Sequence, residues 1–317
     1  MQAIERQQLT RAYRPAEGPT GDAGPWRSRR LALTPYAFLL PALLVTAAVV
    51  FFPVLQTLWL SLHNYVLFRP RNVPFIGLAN FARAMSDEVF WISLKNSLFW
   101  IGLVVSLQFL MGLCAALLLN QSFWWRAIAR SLIIIPWALP SVIIGLMWSW
   151  MYDFHVGIVN DLFVRLGIID APVAWLARPD TALYAIIVAL IWQGFPFFTI
   201  VILAGLQTIP DELYEAAEID GASRWQQLRS VILPSIAGIV TTALLLRTIW
   251  VANSLDVILV MTAGGPGYAT HTLPLYAFVK AYSSMEFGYA AALAVILTGL
   301  LLAVVLSYVR RAAGDLQ

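Results

Sequence analysis

The chain has 317 residues, 60% of them hydrophobic and 12% charged, whereas a soluble domain holds about 45–50% apolar and about 25% charged residues. Too few charges remain to coat a water-exposed surface, and disorder is excluded because disordered chains lack such apolar content. The net charge of +3 is carried almost wholly by arginines at the ends of apolar segments, not on one basic face, which argues against a nucleic-acid binder. The single cysteine, Cys114, leaves no disulfide framework or cysteine metal cluster.

The elements follow in chain order. Residues 1–34, rich in Arg, Pro, Gly and Gln, read as a cytoplasmic N-terminal tail. Arg29-Arg30 before an apolar run resembles a twin-arginine export signal. The run, however, exceeds the roughly 7–15 residues of a signal's apolar core, and further spans follow it. A membrane helix needs about 20 mostly apolar residues, and six stretches qualify: Tyr36–Leu62, Trp91–Leu119, Ile128–Met151, Ala182–Leu206, Ser235–Met261 and Tyr289–Val309. The fold class is therefore an all-α integral membrane protein, with a transmembrane domain over 35–311 and a short C-terminal tail over 312–317. Pro136 and Pro140 predict a kink in the third span. Gly194 and Pro196 predict that the fourth opens and frees backbone carbonyls beside a cavity. An even number of spans puts both termini on one side. If that side is the cytoplasm, the inner segments hold 12 basic residues against 7 outside, with Arg247 inside a span. Arg27, Arg29 and Arg30 stand directly before the first span, where the bias acts most strongly.

Several chemistries lack their residues. A nucleotide-binding loop of the Walker type needs Gly-Lys, but the two lysines, Lys95 and Lys280, follow Leu94 and Val279. His63, His155 and His271 lie on separate loops or span ends, so neither a metal cluster nor a Ser-His-Asp arrangement is visible. Uphill transport would draw its energy from a partner or from an ion gradient.

The loop at about 208–234, between the fourth and fifth spans, holds two short helical signals. Pro210 suits a first helical turn, and Asp211 and Glu212 follow at its positive end. Gly221 permits a left-handed stop, and Ser223 with Gln226 is spaced as a capping box. The Ala216-Ala217 step allows close approach of another backbone, and the acidic residues can meet a basic groove. A solvated amphipathic connector accounts for the same pattern.

The order of residues adds more. Glu215-Ala216-Ala217, then Gly221, then Val231-Ile232-Leu233-Pro234 resembles the EAA motif of ABC-importer permeases. Phe75-Ile76-Gly77-Leu78-Ala79-Asn80-Phe81 is similar to a first-loop signature of carbohydrate importers of this kind. Asn253-Ser254-Leu255-Asp256 and Met261-Thr262-Ala263-Gly264-Gly265-Pro266 are similar to the end of their penultimate helix. The resemblance implies the six-helix type I ABC-importer permease fold, in the compact form of the first permease subunit. It implies a non-catalytic subunit in a bacterial or archaeal cytoplasmic membrane. Its partners would be a second permease, two cytoplasmic ATPase subunits that hold ATP and Mg, and an extracytoplasmic solute-binding protein. It also assigns docking on the ATPase to Glu215, Ala216, Ala217, Asp220 and Gly221.

A lone arginine at mid-membrane costs about 2.5–3.5 kcal/mol on the insertion scale and should face a cavity or partner. Arg247, Trp250, Val251 and Ser254 recur at helical spacing and form one stripe, whose guanidinium, indole and hydroxyl suit a polyol. By resemblance, these four and Trp192, Gln193, Gly194 and Phe197 match sugar-contacting positions of a maltose-importer permease. Packing against a second permease subunit is the alternative role for all eight. Arg247 departs from the maltose pattern, which suggests a different sugar or an acidic group, as in a glycerol-phosphate-type solute. An ion-coupled secondary transporter would need paired acids within the spans, and only Asp256 qualifies.

Overall fold

The computed structural model describes residues 36, 38–69 and 71–314. The expected N-terminal tail at 1–34 and residues 315–317 of the C-terminal tail lie outside the described residues. The chain divides into two units, Met1–Gln56 and Thr57–Gln317. Helix α1, Phe38–Ser61, begins in the first unit and carries a π-helical turn at Ala47–Phe51.

The second unit is helical among its described residues. After α2 (Ala79–Ser86) and α3 (Glu88–Asn120) come α4 (Arg126–Ala138), α5 (Ser141–Met151) and α6 (Ile158–Arg165). Helix α7 (Ala182–Leu206) leads into α8 (Asp211–Ile219), α9 (Arg224–Gln227) and α10 (Leu233–Ser235). Last come α11 (Ala237–Ala252), α12 (Asp256–Met261), α13 (Leu273–Tyr282) and α14 (Phe287–Gly314). Helices α1, α3 and α7, the run Ala237–Met261 and helix α14 over Phe287–Arg310 are each long and apolar enough to cross a membrane. The bent pair α4–α5 makes a sixth span if it is counted as one. Helix α14 also continues through 312–314, so the expected tail is helical where it is described.

Three local expectations need correction. The third span does not merely kink: α4 and α5 meet at 94°. Leu139 is extended (φ −77°, ψ 138°) because the ring of Pro140 disfavours the helical region for the residue before it. The fourth span does not open: α7 runs unbroken past Gly194 and Pro196. Pro196 still deprives the Trp192 carbonyl of its usual donor, but the helix is buried among its neighbours along most of its length. The fifth span, expected to be continuous, breaks at Asn253-Ser254-Leu255.

Helix α7 forms the centre of the main core, where Ile186, Phe198 and Ile202 pack with Trp100 and Val104 of α3 and with Val257 and Ile258 of α12. In lipid, close packing and interhelical hydrogen bonds hold such helices together, because moving apolar groups from lipid into protein yields little. A second core joins Ala84, Phe90, Leu273, Tyr276, Tyr289, Leu293 and Leu297. Asp87 stands beside it as the cap of α3, accepting from the Val89 N–H (2.9 Å) and from the hydroxyls of Tyr276 and Tyr289. Burial alone would raise the Asp87 carboxyl. The hydrogen bonds and the Lys280 ammonium outweigh it and hold the group below the usual carboxylate value. The Phe75–Phe81 motif also gains a physical role, since buried Asn80 donates to the carbonyls of Ser61 (2.9 Å) and His63 (3.1 Å) and ties the loop to the end of α1.

Candidate solute pathway and coupling loop

Arg247 is buried on α11, with 8% of its surface exposed. Its Nε donates to Oε1 of Gln108 on α3 at 2.7 Å, and no carboxylate lies within ion-pair distance among the described residues. It lines a cavity of about 430 Å³, within the roughly 300–1,000 Å³ usual for small-molecule sites. Trp137, Leu139, Pro140 and Ser141 enter from the α4–α5 bend, Leu190 and Gln193 from α7, and Trp250 and Val251 from α11. Asn253, Ser254 and Asp256 enter from the break before α12. Both helix breaks therefore open onto one cavity, which is where irregular backbone is tolerable inside a membrane. The Val251 carbonyl at the second break accepts from the Ser254 N–H (3.2 Å) and from the Trp100 indole (3.2 Å). Across the first, the Gln193 amide meets the Ser141 hydroxyl at 3.3 Å.

Five of the eight expected pathway residues line this cavity: Gln193, Arg247, Trp250, Val251 and Ser254. Ser254 does so from the broken segment and not from a continuous helical stripe. The other three are placed differently. The Trp192 ring packs edge-on against Trp148 at 6.0 Å and is absent from the cavity wall. Phe197 is buried behind the wall, with its ring 5.3 Å from Trp250 and 6.1 Å from Trp137. Gly194 faces the Arg247–Gln108 contact, where a Cβ would lie 1.9 Å from Arg247 Nη2 and 2.1 Å from Gln108 Nε2. The sequence does not single out Gln108, Trp137 or Ser141, and marks Asn253 only within the motif at the end of the penultimate helix. The available signal was a lone amide in the apolar run Val104-Val105-Ser106-Leu107-Gln108-Phe109, which the structure buries completely.

The candidate coupling loop has the expected two-part form. Asp211 and Glu212 open α8, with Pro210 one residue earlier than expected, at the cap (φ −61°, ψ 139°). At the other end Gly221 is left-handed (φ +72°). The Ala222 N–H reaches the Ala217 carbonyl at 2.9 Å and the Gly221 N–H the Glu218 carbonyl at 3.0 Å, a pair of bonds that closes the helix end. Ser223 and Gln226 form the capping box of α9. A π-helical turn at Leu228–Ile232 and α10 then lead to α11. Within the motif Ala217 is buried, while Glu215, Ala216, Asp220 and Gly221 are exposed. Leu213, Ile219 (85% exposed) and Trp225 (69%) add apolar surface beside them.

Residues 108–314 match the family described as binding-protein-dependent transport system inner membrane component. The chain belongs to this family. It is a transmembrane, non-catalytic permease subunit of an ABC importer, and the ion-coupled alternative is set aside. The Trehalose/maltose transport system permease protein MalF of Thermococcus litoralis is 39% identical over 87% of this chain and 92% of its own length. The Sulfoquinovosyl glycerol transport system permease protein SmoG of Agrobacterium fabrum is 35% identical over 86% of this chain and 88% of its own. Among solved structures, a bacterial ABC transporter involved in the import of the acidic polysaccharide alginate contains a chain that superposes with a TM-score of 0.78. The match covers 91% of this chain and 98% of that one at 24% identity, and establishes a shared fold.

Proposed function

We propose that this permease forms the membrane pathway for a sugar or related polyol, delivered by an extracytoplasmic solute-binding protein. The observation that carries the reading is the convergence of two broken helices on one cavity with Arg247 in its wall. The terminal guanidinium nitrogens donate to no protein acceptor among the described residues. Trp250, about half exposed, offers an indole face for C–H groups, and Gln193, Ser254 and Asn253 offer partners for hydroxyls. A second permease subunit would complete the pathway. Of two ATPase subunits, holding ATP and Mg, one would dock on the segment that holds Glu215, Ala216, Ala217, Asp220 and Gly221, where exposed acids and apolar side chains stand together. The arginine distribution supports a reading in which that loop and both termini face the cytoplasm.

Replacing Arg247 by leucine tests the reading. Uptake of the transported sugar should fall about tenfold or more, in line with losing a hydrogen bond to a charged donor, while the partner subunits still copurify. Unchanged uptake kinetics would refute the solute contact. So would a structure of the assembled transporter with Arg247 paired to an acid of the second permease, away from the cavity.

A further inference from the structure

We propose that Gln108, seated against Gly194, is a positioning residue that aims the Arg247 guanidinium at the solute. The inference rests on the reading of Arg247 as a solute contact. Gln108 is completely buried on α3, in the middle of an apolar span. Its Oε1 accepts from Arg247 Nε at 2.7 Å, and its Nε2 donates to the Leu190 carbonyl of α7 at 2.6 Å. With both ends engaged, the amide has one orientation, fixed by a backbone atom of the most buried helix. A guanidinium donates in a rigid plane. Tying Nε to a fixed acceptor and seating Nη2 against Gly194 sets the plane of the guanidinium, and its terminal nitrogens, without a protein acceptor among the described residues, form the fork offered to oxygen atoms of a ligand. The partner is a neutral amide and not a carboxylate, so the contact sets direction without cancelling the charge.

Gly194 makes the seat possible. A Cβ there would lie 1.9 Å from Arg247 Nη2, 2.1 Å from Gln108 Nε2 and 2.5 Å from Gln108 Cδ. Two of these atoms end flexible side chains, so an alanine would push guanidinium and amide aside before it disturbed the backbone. Residue 194 thus acts through Arg247 and not by touching the solute.

The test uses the whole transporter reconstituted in proteoliposomes with its binding protein. The probe is whichever sugar it carries fastest from a panel of neutral disaccharides and uronate oligosaccharides. Gln108→Met keeps the side-chain volume and removes both hydrogen bonds, whereas Gly194→Ala keeps the amide and displaces the fork. Each should lower the maximal uptake rate about tenfold or more, as loss of a supporting residue does at other preorganised sites. The KM for the loaded binding protein should stay within about twofold, since docking outside does not involve these residues. In an Arg247→Leu background, whose residual uptake is read over longer times, neither change should cost anything further. Equal losses with and without Arg247 would overturn the proposal, as would near-parental uptake in both single variants. Failure of both to assemble with the partner subunits would also overturn it, marking a packing role. Should Arg247→Leu itself leave uptake unchanged, the solute-contact reading fails instead.

Discussion

Gly221 offers the cleanest quantitative test of the coupling loop. Its φ of +72° is left-handed, and a Cβ added there would meet nothing within 4 Å. Steric clash of an added Cβ within this chain therefore drops out, and the substitutions rank the backbone cost of the left-handed turn. An ordinary L-residue pays roughly 1–2 kcal/mol in this conformation, asparagine less, and a β-branched residue more. Costs of about 1–2 kcal/mol change a folded-to-misfolded ratio by roughly 5–30-fold. The series Gly221→Asn, Gly221→Ala, Gly221→Val should accordingly lose ATPase copurification and solute uptake in that order, with the membrane-inserted amount unchanged. Helix propensity alone predicts a different order, because alanine is the best helix former and would rescue a continuous helix. If valine matches asparagine, or alanine exceeds the parent, the turn at Gly221 is not what the ATPase partner requires.

Two further outcomes follow from the same geometry. Glu215→Lys should uncouple ATP hydrolysis from transport, at a cost of a few kcal/mol to the docked contact; normal uptake with normal copurification would count against that role. The Asp87 cluster should be acid-sensitive, because its carboxyl is depressed in the folded state. Its stabilising contribution is present above the unfolded value near 3.8 and is lost as pH falls through the lower folded value. Thermal unfolding in detergent should separate the parent from Asp87→Asn at pH 6 and bring them together as the solution is acidified; a constant gap would refute the assignment.

The spans were legible because apolar length is a strong local signal: the bounds of the fourth, Ala182–Leu206, match those of α7. The bend at Leu139-Pro140 was legible in place but not in size, since its angle depends on what the following helix packs against. The break at Asn253–Leu255 carries no glycine or proline and could not be read locally. It is stabilised from far along the chain, by the indole of Trp100 on the Val251 carbonyl. The same limit explains Gly194, whose role depends on Gln108 and Arg247 arriving from two other helices. Trp192 and Gln193 are neighbours in sequence, but about 100° of helical rotation separates them, so only one reaches the cavity.

The proposed coupling loop and the proposed solute contact share one path through the chain. From the capping box at Ser223, helix α9, the π-helical turn and α10 follow without interruption, and only Ile236 separates them from α11 and Arg247. Fully buried Ile236 packs in the main core, so the junction is held by neighbours and does not swing freely. Force applied at an ATPase-facing loop would reach Arg247 along this helical run, while Gln108 belongs to α3 and stays with α7 through the Leu190 carbonyl. The Arg247–Gln108 hydrogen bond thus joins the element continuous with the coupling loop to the helix pair at the centre of the core. A shift of α11 against α3 and α7 during transport would change the geometry of this contact. That is the physical requirement for one site to hold a sugar in one state and release it in another, since a conformational change shifts binding only by the difference in affinity between its states.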